Sequence, residues 1–214
     1  MPSRMPSLIE TVRVRNGSAP LWYLHLRRLA GSCRALGVPL PGDLPTPSGG
    51  RDRVHRLVVG LDGLQVGERP VGDVHPVSLA LAREPHRPYT HKTTTRAQFD
   101  RALEEARTVG AEDAVMVNEG GFVTECTIWT LFWWEGDRIC TPALMLGILP
   151  GVARARIALL AGDLAERRVG VGEVEGRSLF VANAVRGVVP VRSFQGRPVP
   201  QDPGTSRLSA SFWS

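Results

Sequence analysis

Short apolar stretches bounded by Gly, Pro and Asn recur along this chain, and only three segments carry longer helical spacing. That alternation predicts a mixed α+β fold. The run Leu8-Ile-Glu-Thr-Val-Arg-Val-Arg15, closed by Asn16-Gly17, reads as a strand entering a hairpin turn. From Trp22 to Leu36 the apolar positions Leu24, Leu29, Cys33 and Leu36 recur at helical spacing, and Gly37 and Pro39 stop the helix. Residues 41–50 hold too many prolines and glycines for regular structure, and strands are expected at Arg53–Val59 and Val77–Ala82. A second helix is predicted from Arg96 to Val109 and a third from the Gly147–Arg154 segment to about Leu164. Strands are expected at 114–117, 122–124, 128–134, 179–181 and 188–191, the last two separated by polar loops. The Glu84-Pro-His-Arg-Pro88 stretch interrupts the pattern and serves as a domain linker, dividing a smaller unit, 1–86, from a larger strand-rich unit, 87–214.

Composition narrows the class. No apolar run approaches the roughly 20 residues of a membrane-spanning helix, and the first residues lack an apolar signal core, so a cytoplasmic location is expected. Cys33, Cys126 and Cys140 are scattered, with neither metal-site nor disulfide spacing. The net charge of +5 raises the question of a nucleic-acid partner, but the arginines are spread among 21 acidic residues without a basic block, which argues against one. Among 26 cationic side chains a single lysine survives, Lys92. Arginine replaces lysine in salt bridges but forms no imine and is no base near neutral pH. Composition alone leaves Lys92 open between amine chemistry and chance survival on a surface.

Three further features stand beside it. Glu125 lies at a strand end, as either a paired buried charge or a solvated loop end. Gly147-Ile-Leu-Pro-Gly151 opens a helix, where free N–H groups attract phosphate unless the Pro-Gly is only a turn. Arg28 is either a solvent-facing helix charge or a phosphate clamp. An amine, a carboxylate, a helix start and an arginine together suit a phosphorylated aldehyde cofactor, pyridoxal 5′-phosphate, acting as an electron sink.

The order of five segments resembles the fold-type IV pyridoxal-phosphate enzymes, which include branched-chain and D-amino-acid aminotransferases and 4-amino-4-deoxychorismate lyase. The segments are Ile9-Glu-Thr-Val-Arg13, His25-Leu-Arg-Arg-Leu29, His91-Lys-Thr-Thr-Thr-Arg96, Asn118–Glu125 and Thr141-Pro through Arg154. The resemblance implies that Lys92 is the Schiff-base lysine and proton shuttle and that Glu125 pairs with the pyridine nitrogen. It places Arg28 on the phosphate, with Leu149, the Val152 and Ala153 N–H groups and Asn183 as further cofactor contacts. It also implies a homodimer and no metal.

The chain departs from the family pattern in four places. The family's opening strand and Gly-rich segment are missing, which gives a truncated small domain. Thr130 stands for a usual Asn, Ala153 stands for a phosphate-binding Thr, and the last helix before the closing strands is shortened. Arg96 resembles the lyases more than the aminotransferases, although an arginine there also suits a salt bridge at a helix start. The expected activity is therefore elimination of pyruvate from aminodeoxychorismate to give 4-aminobenzoate. The alternatives are a class IV aminotransferase and a catalytically impaired relative.

Overall fold

The computed structural model describes residues 6–214. Its contacts divide the chain into two compact units: one reaches to Asp73 and takes in His91–Thr95, and the other comprises Val74–Thr90 and Arg96–Ser214. The expected division after residue 86 thus falls earlier in the chain, and Glu84–Pro88 lies inside the larger unit. The reason is packing: the strand that follows Asp73 is a central member of the larger sheet.

In the smaller unit, strands β1 (Leu8–Val14), β2 (Arg53–Gly60) and β3 (Gly63–Arg69) form an antiparallel sheet in chain order. Helix α1 (Trp22–Leu36) is the predicted one, and Gly37 ends it at φ 66, which a side chain would resist. Leu29 and Cys33 of α1 pack with Leu8, Val38 and Val59 into the core of this unit. β3 was not anticipated, because its residues are almost all exposed and show no apolar alternation. The returning segment His91–Thr95 pairs with β1: the Ile9 N–H donates to the Lys92 carbonyl at 2.7 Å and the Thr94 N–H to that of Ser7 at 2.9 Å.

The larger unit contains β4 (Val77–Leu81), α2 (Ala97–Thr108), β5 (Asp113–Val117), β6 (Val123–Cys126), β7 (Thr130–Glu135) and β8 (Arg138–Pro142). There follow α3 (Val152–Ala161), β9 (Ala165–Arg167), α4 (Val171–Val174), β10 (Leu179–Asn183), β11 (Gly187–Phe194), β12 (Arg197–Pro198) and α5 (Pro203–Ser211). One mixed sheet runs β6-β5-β4-β11-β10-β7-β8-β9, with β12 on β11; the pairs β4–β5, β4–β11 and β8–β9 are parallel. Helix α2 buries Phe99, Ala102 and Ala106 in a cluster with Tyr89, Ala114 and Met116.

Phe132 and Phe180 stack across β7 and β10 at 5.0 Å. Trp133 and Phe212 are fully buried in the core of the larger unit. Helix α5 was also missed. Its start carries Asp202, whose carboxylate accepts from the Gly204 N–H at 2.7 Å, followed by Pro203; that Asp-Pro pair was a legible start signal. No described helix is long and apolar enough to cross a membrane.

Candidate active site

The smaller unit gathers its predicted residues around one carboxylate. Glu10 sits on β1, 2% exposed, facing α1. Arg28 grips it with two bonds, Nε to Oε1 at 2.9 Å and Nη2 to Oε2 at 2.6 Å, and the bonds leave Nη1 outside the pair. One turn earlier His25 meets the same Oε2 through Nδ1 at 2.6 Å. The spacing His25–Arg28 puts both on one helix face, which is why the two reach one acid.

Burial works to raise the Glu10 carboxyl, but the Arg28 charge and the bonds from His25 and Arg28 outweigh it and hold the group at about 2. His25 is held below its usual value by burial, against the pull of Glu10; the charges of Arg28 and Lys92 push it the same way as burial. Its Nε2 is buried without a partner. Arg28 is therefore a partly buried, oriented cation and not a solvent-facing one. Lys92 is half-buried in this unit, and His91 beside it meets the Ser32 hydroxyl at 3.0 Å.

The larger unit holds the second carboxylate. Glu125 lies within β6 at 7% exposure, so it is the buried, partnered acid and not a loop-end charge. Its Oε1 accepts from the Leu149 N–H at 3.2 Å and faces His86 Nε2 at 3.1 Å; neither contact uses Oε2. Leu149 thus acts through its backbone on Glu125. The loop after β6 is fixed from two sides. Asp113 takes the Thr127 N–H, the Thr127 hydroxyl and the Ile128 N–H at 3.1, 2.5 and 3.2 Å, and Arg96 Nη2 donates to the Thr127 carbonyl at 2.7 Å. Arg96 also lies over the Phe99 ring at 4.9 Å, with Asp100 4.0 Å away. The salt bridge expected as the alternative for Arg96 is present only as that 4.0 Å approach, and its hydrogen bond goes to a backbone carbonyl.

Helix α3 starts at Gly151 without a side-chain cap. Its first backbone bond runs from the Ala155 N–H to the Gly151 carbonyl at 3.0 Å, so the N–H groups of Val152, Ala153 and Arg154 lie ahead of the ladder. A Cβ on Gly151 would stand 2.9 Å from the Thr130 hydroxyl, which ties that glycine to the Thr130 departure. Arg154 anchors the helix to β8 through the Thr141 hydroxyl at 2.9 Å and the Pro142 carbonyl at 3.0 Å, and pairs with Glu166 at 2.6 Å. Asn183 turns its carboxamide oxygen to the Val185 and Arg186 N–H groups at 3.0 and 2.8 Å, closing the β10–β11 turn. Sequence reasoning passed over His86, Asp113 and Glu10's carboxylate. A histidine inside a supposed linker and an acid at a strand start give no periodic signal.

A family model described as amino-transferase class IV matches residues 63–194. The chain belongs to that family. Membership makes it a pyridoxal-phosphate-dependent enzyme, of the lyase or the aminotransferase kind. Branched-chain-amino-acid aminotransferase 6 of Arabidopsis thaliana is 31% identical over 68% of this chain, and the match spans only 46% of that longer enzyme. A Schizosaccharomyces pombe protein provisionally named aminodeoxychorismate lyase is 27% identical over 71% of this chain and 72% of its own length. In fold the chain is similar to a Legionella pneumophila protein provisionally named 4-amino-4-deoxychorismate lyase. There the TM-score is 0.86 and the identity 24%, over 95% of this chain and 88% of that one.

Each unit by itself carries groups of the kind the family cofactor uses. The smaller has an amine, an oriented guanidinium and an unpartnered buried imidazole nitrogen; the larger has a buried carboxylate with one oxygen outside its bonds and an uncapped helix start.

Proposed function

We propose that this chain is an aminodeoxychorismate lyase-type enzyme, eliminating pyruvate to leave 4-aminobenzoate. The observation that carries the cofactor part of this reading is Glu125: a buried carboxylate gripped on one oxygen by the Leu149 N–H, with the other oxygen outside that grip. Such a group holds a pyridine nitrogen protonated. Pyridoxal phosphate, when bound, supplies the electron sink for a carbanion at the substrate α-carbon.

In this reading Lys92 would hold the cofactor through its amine and, with that amine released when the substrate's own amine takes its place, would move the substrate α-proton. Arg28, oriented by Glu10, binds phosphate with its remaining guanidinium edge. In the larger unit Val152 and Ala153 would offer N–H groups to phosphate, with Asn183 as a further contact. Elimination over transamination is supported by the Schizosaccharomyces pombe lyase-named relative, which is matched over 72% of its own length. Arg96 no longer adds to the choice, because its guanidinium is engaged with the Thr127 carbonyl. The aminotransferase reading keeps one specific support, the 31% identity to the plant enzyme.

Purified protein loaded with pyridoxal phosphate is expected to release pyruvate from aminodeoxychorismate without an added keto acid, followed with a lactate dehydrogenase couple. Turnover that demands an amino acid and a keto acid together would replace this reading by the aminotransferase. Lys92→Ala is expected to lose the visible cofactor band and the borohydride-fixed pyridoxyl label, and to lower the rate by roughly 10²–10⁴-fold. A band that survives in that variant removes Lys92 from the reaction.

A further inference from the structure

We infer that His86 is a positioning residue for Glu125, holding it as an oriented anion so that Oε2 stays available to the cofactor's ring nitrogen. The inference rests on the role proposed above for Glu125. The His86 side chain is wholly buried, and its Nε2 lies 3.1 Å from Glu125 Oε1. Its backbone is pinned as well: the His86 N–H donates to the Val117 carbonyl at 2.7 Å, and the residue pairs with Asn118 as an isolated parallel bridge. The ring stands 6.1 Å from that of Phe99, tilted by 58°.

An ionised carboxylate only accepts, so this contact requires the proton of the imidazole to sit on Nε2. Nδ1 is then the other face of the ring, and it is buried with no partner. A histidine serving only to fill space would be an expensive choice there, because an apolar ring of similar size leaves no orphaned nitrogen. What the imidazole adds over such a ring is the Nε2 proton on Glu125. Together with the Leu149 N–H it places two donors on one carboxylate oxygen. Two donors on that oxygen fix the carboxylate plane and leave Oε2 turned away from both.

Two substitutions separate this role from packing. His86→Phe keeps the ring and removes the donor, while His86→Gln keeps an N–H donor near the position of Nε2. Loss of a hydrogen bond to a charged group corresponds to roughly 10–100-fold. His86→Phe is expected to weaken pyridoxal phosphate binding, read by absorbance titration, and to lower kcat by that factor while KM changes little. His86→Gln is expected to recover most of both.

In the cofactor-free wild type, ¹⁵N NMR of histidine-labelled protein should find His86 protonated at Nε2, with its resonances displaced in Glu125→Ala. Wild-type behaviour of His86→Phe, equal impairment of both variants, or a His86 protonated at Nδ1 alone would each overturn the assignment while leaving the proposed function standing. A wild type that takes up no pyridoxal phosphate on Lys92 would overturn the role of Glu125, and this inference with it.

Discussion

In the smaller unit, Glu10 is buried against the Arg28 guanidinium and the His25 imidazole; in the larger unit, Asp113 is equally buried but meets only N–H and hydroxyl groups of Ala114, Thr127 and Ile128. The outcome is opposite. Formal charge brings Glu10 down to about 2 despite its burial, whereas burial pushes Asp113 up to about 6 against the pull of its hydrogen bonds. Dipoles satisfy geometry without cancelling the loss of water, while an adjacent cation does both. The contrast extends to the candidate phosphate contacts, which are a guanidinium in the smaller unit and the N–H groups of an uncapped helix start in the larger.

The most severe break of this contrast is removal of each acid in turn. Glu10→Gln leaves a partly buried guanidinium without its counter-charge, and is expected to cost about 3 kcal/mol in urea unfolding at pH 7. Asp113→Asn keeps an acceptor for the same loop and removes an ionisation that burial opposes, so its cost is expected to stay within about 1 kcal/mol. Equal losses in the two variants would show that neighbouring cations are irrelevant to the Glu10 site.

Acid titration sharpens the same point, with opposite signs. Glu10's folded value lies below the usual carboxylate range. Its contribution is therefore present above about 4.5 and lost as pH falls from there towards 2. Asp113's folded value lies above its ordinary 3.8, so the native state retains a proton that the unfolded chain has released, and stability falls as pH rises from about 4 through 6. Each window is expected to span roughly 3 kcal/mol. Melts across pH 2–7 check this: Glu10→Gln should flatten the lower window and Asp113→Asn the upper one.

The helix-start site offers a smaller perturbation. Gly151→Ala brings a Cβ to 2.9 Å from the Thr130 hydroxyl. Rotation of one threonine relieves part of that contact, so a stability loss of about 1 kcal/mol is expected, at the low end for overpacking. Pyridoxal phosphate affinity should fall alongside, and Thr130→Ala in the same chain should restore both. A double mutant no better than Gly151→Ala would locate the strain elsewhere.

How far these features could be read from the chain depended on whether they left a periodic trace. Helix α1 was legible to the residue, because its apolar spacing and the Gly37 stop are local facts. The lone lysine and the Gly147–Gly151 turn stood out in the sequence by residue type, and their chemical roles belong to the proposed function. Glu10 was visible only as part of a strand motif. Its meaning depends on His25 and Arg28, which stand 15 and 18 positions away. His86 was hidden for the same reason: its partner Glu125 is 39 residues on, and the surrounding prolines made it look like linker. The exposed β3 and the brief β9 carried too little burial to mark their sequences.

Ala153 gives the finest test of a dipole-based phosphate site. It lies at the second position of α3, 2% exposed, where the family pattern places a hydroxyl. The charge on phosphate is already met by Arg28 in the proposed reading, so an added hydroxyl changes only the number of hydrogen bonds and not the electrostatic balance. Ala153→Ser adds a single oxygen at the start of the helix and leaves the Val152 and Ala153 backbone N–H groups unaltered. A net hydrogen bond of about 0.5–1.5 kcal/mol would tighten pyridoxal phosphate binding by roughly 2- to 12-fold. The same substitution should leave the melting point of the cofactor-free protein within a degree or two, since the hydroxyl gains its partner only with the phosphate. Affinity unchanged or weakened in Ala153→Ser, with that melting point preserved, would show that no phosphate oxygen comes within reach of this position.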